Sequence, residues 1–437
     1  MDRVRVLFVF LPFLAIFGCD TSTPNPFSPE SEMLGASDVV GPNGPVPIEF
    51  PFMPFPDGYQ FRNFGGAADW ELFLSVYGDQ VNLWSILDWG FFNNDFAPWY
   101  GNGQCYGFPV TAGMFYRGNF GSQPGFFEPG ATETFDIEQD TRGGGALALD
   151  EAIERHIEKY FYFQLDPEMR EQFLVADSPA KSALLIEAAK TAQAAGWDDP
   201  LVLCFFGPTV AHCVNVVGVI GTDTDATFWL YNNNAPFDAA TNNPGFRHFR
   251  MTPEEFILED GSREVTLASV IPVSIQERDH LQKWWGPMDQ EDFWKWVSTP
   301  MDPDMFVIHI DGSDRWLGRT ATAEFAEIPD AYRVRAATGN LNEGWPEPEL
   351  YYLPPGDYTV DLSNHSTGAL DYRLLAGDAL FSLASSAVGE SKARVRSVKE
   401  SRAFAVEPQN AMENLSVKVA QALSEEEERA IEISELS

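Results

Sequence analysis

Basic residues are scarce in this chain. It carries 28 lysines and arginines against 65 aspartates and glutamates over 437 residues, a formal net charge of -37. Such a surface repels phosphate backbones and anionic headgroups, so nucleic acid is excluded as a partner, as is a charge-driven membrane contact. Long apolar runs are missing beyond residue 17, so no later segment is expected to cross a bilayer as a helix. There is no glycine-rich phosphate loop and no His-Glu-x-x-His zinc spacing. Asp302, Asp304, Asp311 and Asp314 lack the EF-hand spacing and read as turn residues. No cofactor and no metal are expected. Cysteine is limited to four positions, 19, 105, 204 and 213. What remains is an ordinary apolar fraction, 44%, with a high aromatic one, 14%. A chain of this length has enough material for two domains with real cores.

The first twenty residues have their own pattern. Arg3 and Arg5 precede an apolar run from Val6 to Phe17, broken only by Pro12, and Gly18-Cys19 and a polar stretch come next. The run is short of the about 20 residues a bilayer helix needs, and it has the proportions of a signal peptide. Ile16-Phe17-Gly18-Cys19 resembles the lipobox of bacterial lipoproteins, with Phe17 bulkier than usual. The resemblance implies cleavage after residue 18, acylation of Cys19, and an exported chain held at the cell envelope, at the inner or outer membrane, through that lipid alone. Residues 19–57 read as a tether. Asp20 to Asp57 holds nine prolines, which fix φ and remove donors. Its apolar end, Phe50 to Pro56, is suited to pack on the folded domain after it.

Residues 58–282 read as a folded domain. Helices are expected over Ala68–Tyr77, from near Cys105, over Gly144–Phe163 and over Asp177–Ala195, the last opened by Asp-Ser-Pro and closed by Gly196. Strands are expected at Leu201–Phe206, His212–Ile220 and Ala226–Tyr231. Cys204 and Cys213 flank the first turn of this sheet, and in an exported protein they form either a disulfide or two buried thiols. Helices followed by an antiparallel sheet make an α+β plan. The tryptophan-rich stretch Glu277–Val297 reads as a helix, so 283–304 is expected to be a helical linker. Residues 305–437 read as a smaller β-sandwich-like domain of short strands separated by Pro-Pro-Gly-Asp and Asp-Gly turns. Asn414–Ser437 is expected to end in a helix or a strand.

Three segments carry candidate chemistry, in the order Cys, His, Asn. Gly101-Asn-Gly-Gln-Cys105 turns tightly into small and apolar residues, and Pro109 requires a helix starting close to Cys105. A cysteine there feels the positive end of the helix dipole, and backbone N–H groups are placed to hold an oxyanion. His212 opens an apolar strand. Asn232 ends the next strand in an asparagine run, with Asn233 as its close competitor, suited to orient an imidazole. His156 is the other histidine that comes into question for Cys105, but beside Glu154 and Arg155 it reads as part of a solvated helix face.

Over about residues 58 to 260 these segments resemble the papain-like cysteine peptidases in the broad sense, including the bacterial C39-like branch. The resemblance implies a papain-like helix-plus-antiparallel-sheet domain with Cys105 as nucleophile, His212 as its base and Asn232 as the orienting residue, acting on a peptide or protein substrate. An imidazolium beside the thiolate is then expected to keep Cys105 ionised near neutral pH. Trp99 stands where these enzymes often place an oxyanion glutamine, and Asn102 and Gln104 are the nearby amides. Two other readings stand beside this one. Transglutaminase-like or peptidoglycan-amidase chemistry uses the same Cys-then-His order. A non-catalytic surface lipoprotein would keep the fold as a binding module. The C-terminal domain is left to bind substrate, the envelope or a partner.

Overall fold

The computed structural model describes residues 40–41, 44–45, 50–276, 281 and 295–434, less connecting segments of which 138–151 and 337–348 are the longest. The expected signal peptide, Cys19 and most of the stretch expected to be a tether lie outside the described residues. Helices and antiparallel sheets are both present, as an α+β chain requires.

Helix α1 (Trp70–Tyr77) starts where the Asp69 carboxylate accepts the Glu71 N–H at 2.8 Å, and it stops at Gly78. It buries Leu72, Phe73, Val76 and Tyr77. Helix α2 (Ala97–Gly101) leads into the cysteine loop. Helix α3 (Gly107–Arg117) is buried along its whole length from Gly107 to Phe115, as its small and apolar residues allow on every side. Gly118, at φ 66°, ends it in the left-handed region. Helix α4 (Ala152–Phe163) lies against the start of α3, so closely that a Cβ on Gly107 would sit 2.1 Å from the Ile157 carbonyl oxygen. Residues 144–151 of the helix expected here lie outside the described residues. Helix α5 (Ser182–Ala194) follows a short 3-10 turn at Pro179–Lys181.

The sheet beneath them has seven strands, four more than the sequence pattern suggests. They are β1 (Leu174–Ala176), β2 (Leu201–Phe206), β3 (Ala211–Gly221), β4 (Ala226–Tyr231), β5 (Phe246–Met251), β6 (Phe256–Leu258) and β7 (Leu267–Pro272). Their order across the sheet is β1-β7-β2-β3-β4-β5-β6, antiparallel throughout. Both faces are covered. Asn215 on β3 donates to the Pro109 carbonyl of α3 at 2.7 Å, so the odd-numbered residues at the start of β3 face α3. Val214 and Val216 face the other way and pack with Leu185, Ile186 and Ala189 of α5. This alternation is the two-residue period of the pleat, and it decides the layout of the site.

The apolar end of the expected tether packs on the folded part, as its composition suggests. Phe52 is buried against Tyr116 and Tyr231, and Phe50 lies on Trp229. Gly218 leaves room for it, since a Cβ there would fall 2.0 Å from the Phe50 ring.

The C-terminal part is two antiparallel sheets. One is ordered 332–334, 349–353, 295–299, 369–376, 379–386, 416–424 and 427–434, and the other 324–326, 316–319, 305–310, 358–364, 391–398 and 403–408. Ile308, Val360 and Val395 from one sheet share a core with Tyr351, Leu374 and Phe381 from the other, which makes a sandwich. The helical linker expected at 283–304 is corrected at its end. Lys295–Thr299 is a strand in the interior of the first sheet, between 349–353 and 369–376. Val297 and Thr299 are β-branched and suit that place, where the tryptophan spacing had suggested a helix. Residues 277–280 and 282–294 lie outside the described residues. Asn414–Ser437 supplies two paired strands.

Candidate functional site

Cys105 sits two residues before α3, in a loop that needs Gly103 at φ 123°. The loop is closed by the Gly103 N–H donating to the Tyr100 carbonyl at 3.1 Å and the Gly107 N–H donating to the Gln104 carbonyl at 2.9 Å. This carries the thiol past the end of β4 to the edge of β3. There it accepts the Cys213 N–H at 3.3 Å and approaches the Ala211 carbonyl at 3.9 Å. These two peptide groups flank His212. On its other side β3 pairs with β2, where Cys204 and Cys213 lie opposite each other and are joined by a disulfide.

The imidazole leaves β3 between those two peptide groups. The pleat sends it to the face opposite the Cys213 side chain, where its ring meets Phe205 at 5.7 Å between centroids. Its Nε2 lies 2.9 Å from Asn232 Oδ1. The same Oδ1 accepts the Asn234 N–H at 3.0 Å, which identifies it as the oxygen of the amide. An acceptor facing Nε2 requires that nitrogen to carry hydrogen, so in the neutral ring Nδ1 holds the lone pair. Burial pushes the imidazole down to about 4, against the hydrogen bond that Nε2 donates to Asn232, which favours the charged form. The ring is therefore neutral at neutral pH. Enclosure of the ring favours its neutral form and opposes the imidazolium that a thiolate partner would favour.

The asparagine run divides its work. Asn232 holds His212. Asn233 Nδ2 donates to the Cys105 carbonyl at 3.0 Å and to the Cys213 carbonyl at 3.1 Å, tying the cysteine loop to β3. Asn63, which no sequence pattern singled out, accepts the Gln104 N–H at 2.8 Å. Its only hint in the sequence is a polar residue within the aromatic stretch Tyr59–Phe64.

The remaining candidates fall elsewhere. Trp99 is buried in the core, Asn102 lies outside the described residues, and Gln104 is buried beside Tyr100. His156 is corrected: it stands among Phe115, Phe127 and Tyr160, and burial pushes it down to about 3. Among the described residues no group of three or more His, Cys, Asp or Glu is placed to hold a metal, and Asp302, Asp304 and Asp311 are outside them. Cys105, His212 and Asn232 are closed to solvent, at 0%, 1% and 0% exposure. No helix among the described residues is long and apolar enough to cross a membrane. No family model, no curated protein and no solved structure matches this chain.

Proposed function

We propose that the chain is a lipid-anchored cell-envelope thiol hydrolase that cleaves peptide bonds on a papain-like plan. The observation that carries this is the junction at the edge of β3. Cys105 Sγ lies against both peptide groups flanking His212, and Asn232 holds Nε2 so that Nδ1 is the basic atom. In the first step Nδ1 takes the Sγ proton and the thiolate forms a bond to the substrate carbonyl carbon. The carbonyl oxygen takes the negative charge, stabilised by N–H groups at the start of α3. Collapse returns the proton to the leaving amine and leaves a thioester. Water, deprotonated by Nδ1, then releases the acid and restores the thiol. Because the site is closed to solvent, an opening step precedes each turnover.

Cys105→Ala is expected to abolish hydrolysis of a fluorogenic peptide library, and His212→Ala to lower kcat by about 10²–10⁴. Asn232→Ala does less, because it removes only orientation. The acidic limb of kcat/KM is expected near pH 4, where His212 gains its proton. A limb near pH 6.5 would mean that a solvated imidazole does the work. The second reading, a binding module, is favoured by the complete burial of the thiol. A thiol-directed activity probe separates them: no labelling of native protein, with labelling after denaturation, would end the hydrolase reading.

A further inference from the structure

We infer that Asn63 is a positioning residue for Cys105, and that it sets the register of the nucleophile loop against β3. The inference rests on the hydrolase reading and deepens it.

Asn63 is buried, and its backbone and side chain reach different parts of the site. Its backbone N–H donates to the Asn233 carbonyl at 2.8 Å. Its Nδ2 donates to Asn234 Oδ1 at 3.0 Å, and its Oδ1 accepts the Gln104 N–H at 2.8 Å. One residue thus joins the position before the nucleophile to the two positions after the histidine-orienting Asn232. Asn233 in turn grips the Cys105 and Cys213 carbonyls. The loop, the asparagine run and β3 are therefore tied into one net that Asn63 completes. An independent contact marks the same surface as a seat for the loop. A Cβ on Gly65 would lie 2.1 Å from the Gly101 carbonyl oxygen, so the backbone at Gly65 presses directly on the chain leading into Cys105.

An amide is suited to this role because it must accept from one segment and donate to another. Aspartate keeps the acceptor and loses the donor. Alanine loses both. Gly65→Ala keeps every hydrogen-bonding group of the net and displaces the loop by steric contact. Asn63 touches neither the thiol nor the ring in these bonds, so it acts through position.

The test uses the full-length chain extracted in detergent, with the disulfide kept oxidised. Asn63→Ala, Asn63→Asp and Gly65→Ala are compared for kcat and KM on a fluorogenic peptide, and for the rate of Cys105 alkylation by iodoacetamide against pH. Asn63→Ala and Gly65→Ala are expected to lower kcat about a hundredfold, the scale of an ångström of misplacement, with KM moved less than about twofold. Asn63→Asp recovers part of kcat. The alkylation profile shifts in all three. A kcat for Asn63→Ala within about threefold of wild type, with an unchanged alkylation profile, overturns the inference. If Asn63→Ala fails to fold, Asn234→Ala cuts the same net from its far side and is read by the same criteria. A wild type that hydrolyses nothing defeats the hydrolase reading, while the alkylation profiles still decide whether Asn63 sets the loop.

Discussion

Single residues in this protein owe their roles to the turn or strand face on which the backbone places them. The run Asn232-Asn233-Asn234 is uniform as sequence, yet consecutive positions turn to His212, to the cysteine loop and to Asn63. Pattern alone separates Asn232 from Asn233 in the sequence; the turn that follows β4 at Tyr231 gives them different partners. A second buried polar group lies away from the thiol. Glu158 on α4 accepts from Tyr162 Oη and from the Asp69 N–H, and burial pushes its carboxyl up from 4.5 to about 7, with those hydrogen bonds opposing. Between these values the folded chain holds a proton that the unfolded chain has lost. Stability therefore falls as pH rises from about 4.5 to about 7 and is flat above, by about 3 kcal/mol for the full shift. Urea denaturation across this range should show that slope, and Glu158→Gln should remove its share. An unchanged slope in the variant would assign it to other groups.

Elements were legible where their periodicity was strong. The helices at 70–77 and 182–194 and the strands β2, β3 and β4 match apolar patterns in the sequence. Strand β5 did not show itself, because Phe246-Arg-His-Phe-Arg-Met mixes charge into a face that is only half covered. The strand at 295–299 reads as a helix in the sequence because aromatic spacing over a short stretch suits either period. Close approach was equally hidden. Gly107 reads as a poor helix residue, yet it is where α4 touches α3. Alanine there is about 1 kcal/mol better in a helix, while overpacking against a backbone carbonyl costs about 1–3 kcal/mol or more. Gly107→Ala should therefore lower stability in chemical denaturation. A gain would show that the two helices can separate without loss.

At the scale of the whole molecule, the core beneath α1 and α2 does not end with the first domain. Leu281 N–H donates to the Val76 carbonyl at 3.0 Å, and Ala336 and Leu350 of the sandwich join the same apolar cluster as Phe73, Cys105 and Tyr162. The sandwich thus packs onto the body that holds the thiol, a connection that no local pattern announces. The proposed lipid anchor belongs to this scale too. Cys19→Ser should move the protein from the detergent phase to the aqueous phase in phase partitioning, because acylation needs the thiol. A wild-type mature chain that stays aqueous would refute the lipid anchor.

The sequence by itself determined the things that local chemistry controls. The excess of acid, the apolar run before Cys19 and the prolines from residue 20 to residue 57 are properties of composition. The start of α3 after Cys105 follows from glycine and proline rules that act within a few residues. The order Cys105, His212, Asn232 was visible for the same reason, as each sits at the end of an element with a strong pattern. Only the tertiary structure decided that the thiol lies against the peptide groups around His212, that Nδ1 is the basic nitrogen, that the ring is neutral and enclosed, and that Asn63 joins the net. Those facts depend on contacts between residues 41, 108 and 171 positions apart. Such contacts form only when sheet, helices and loop close on one another, and no window of sequence contains both partners.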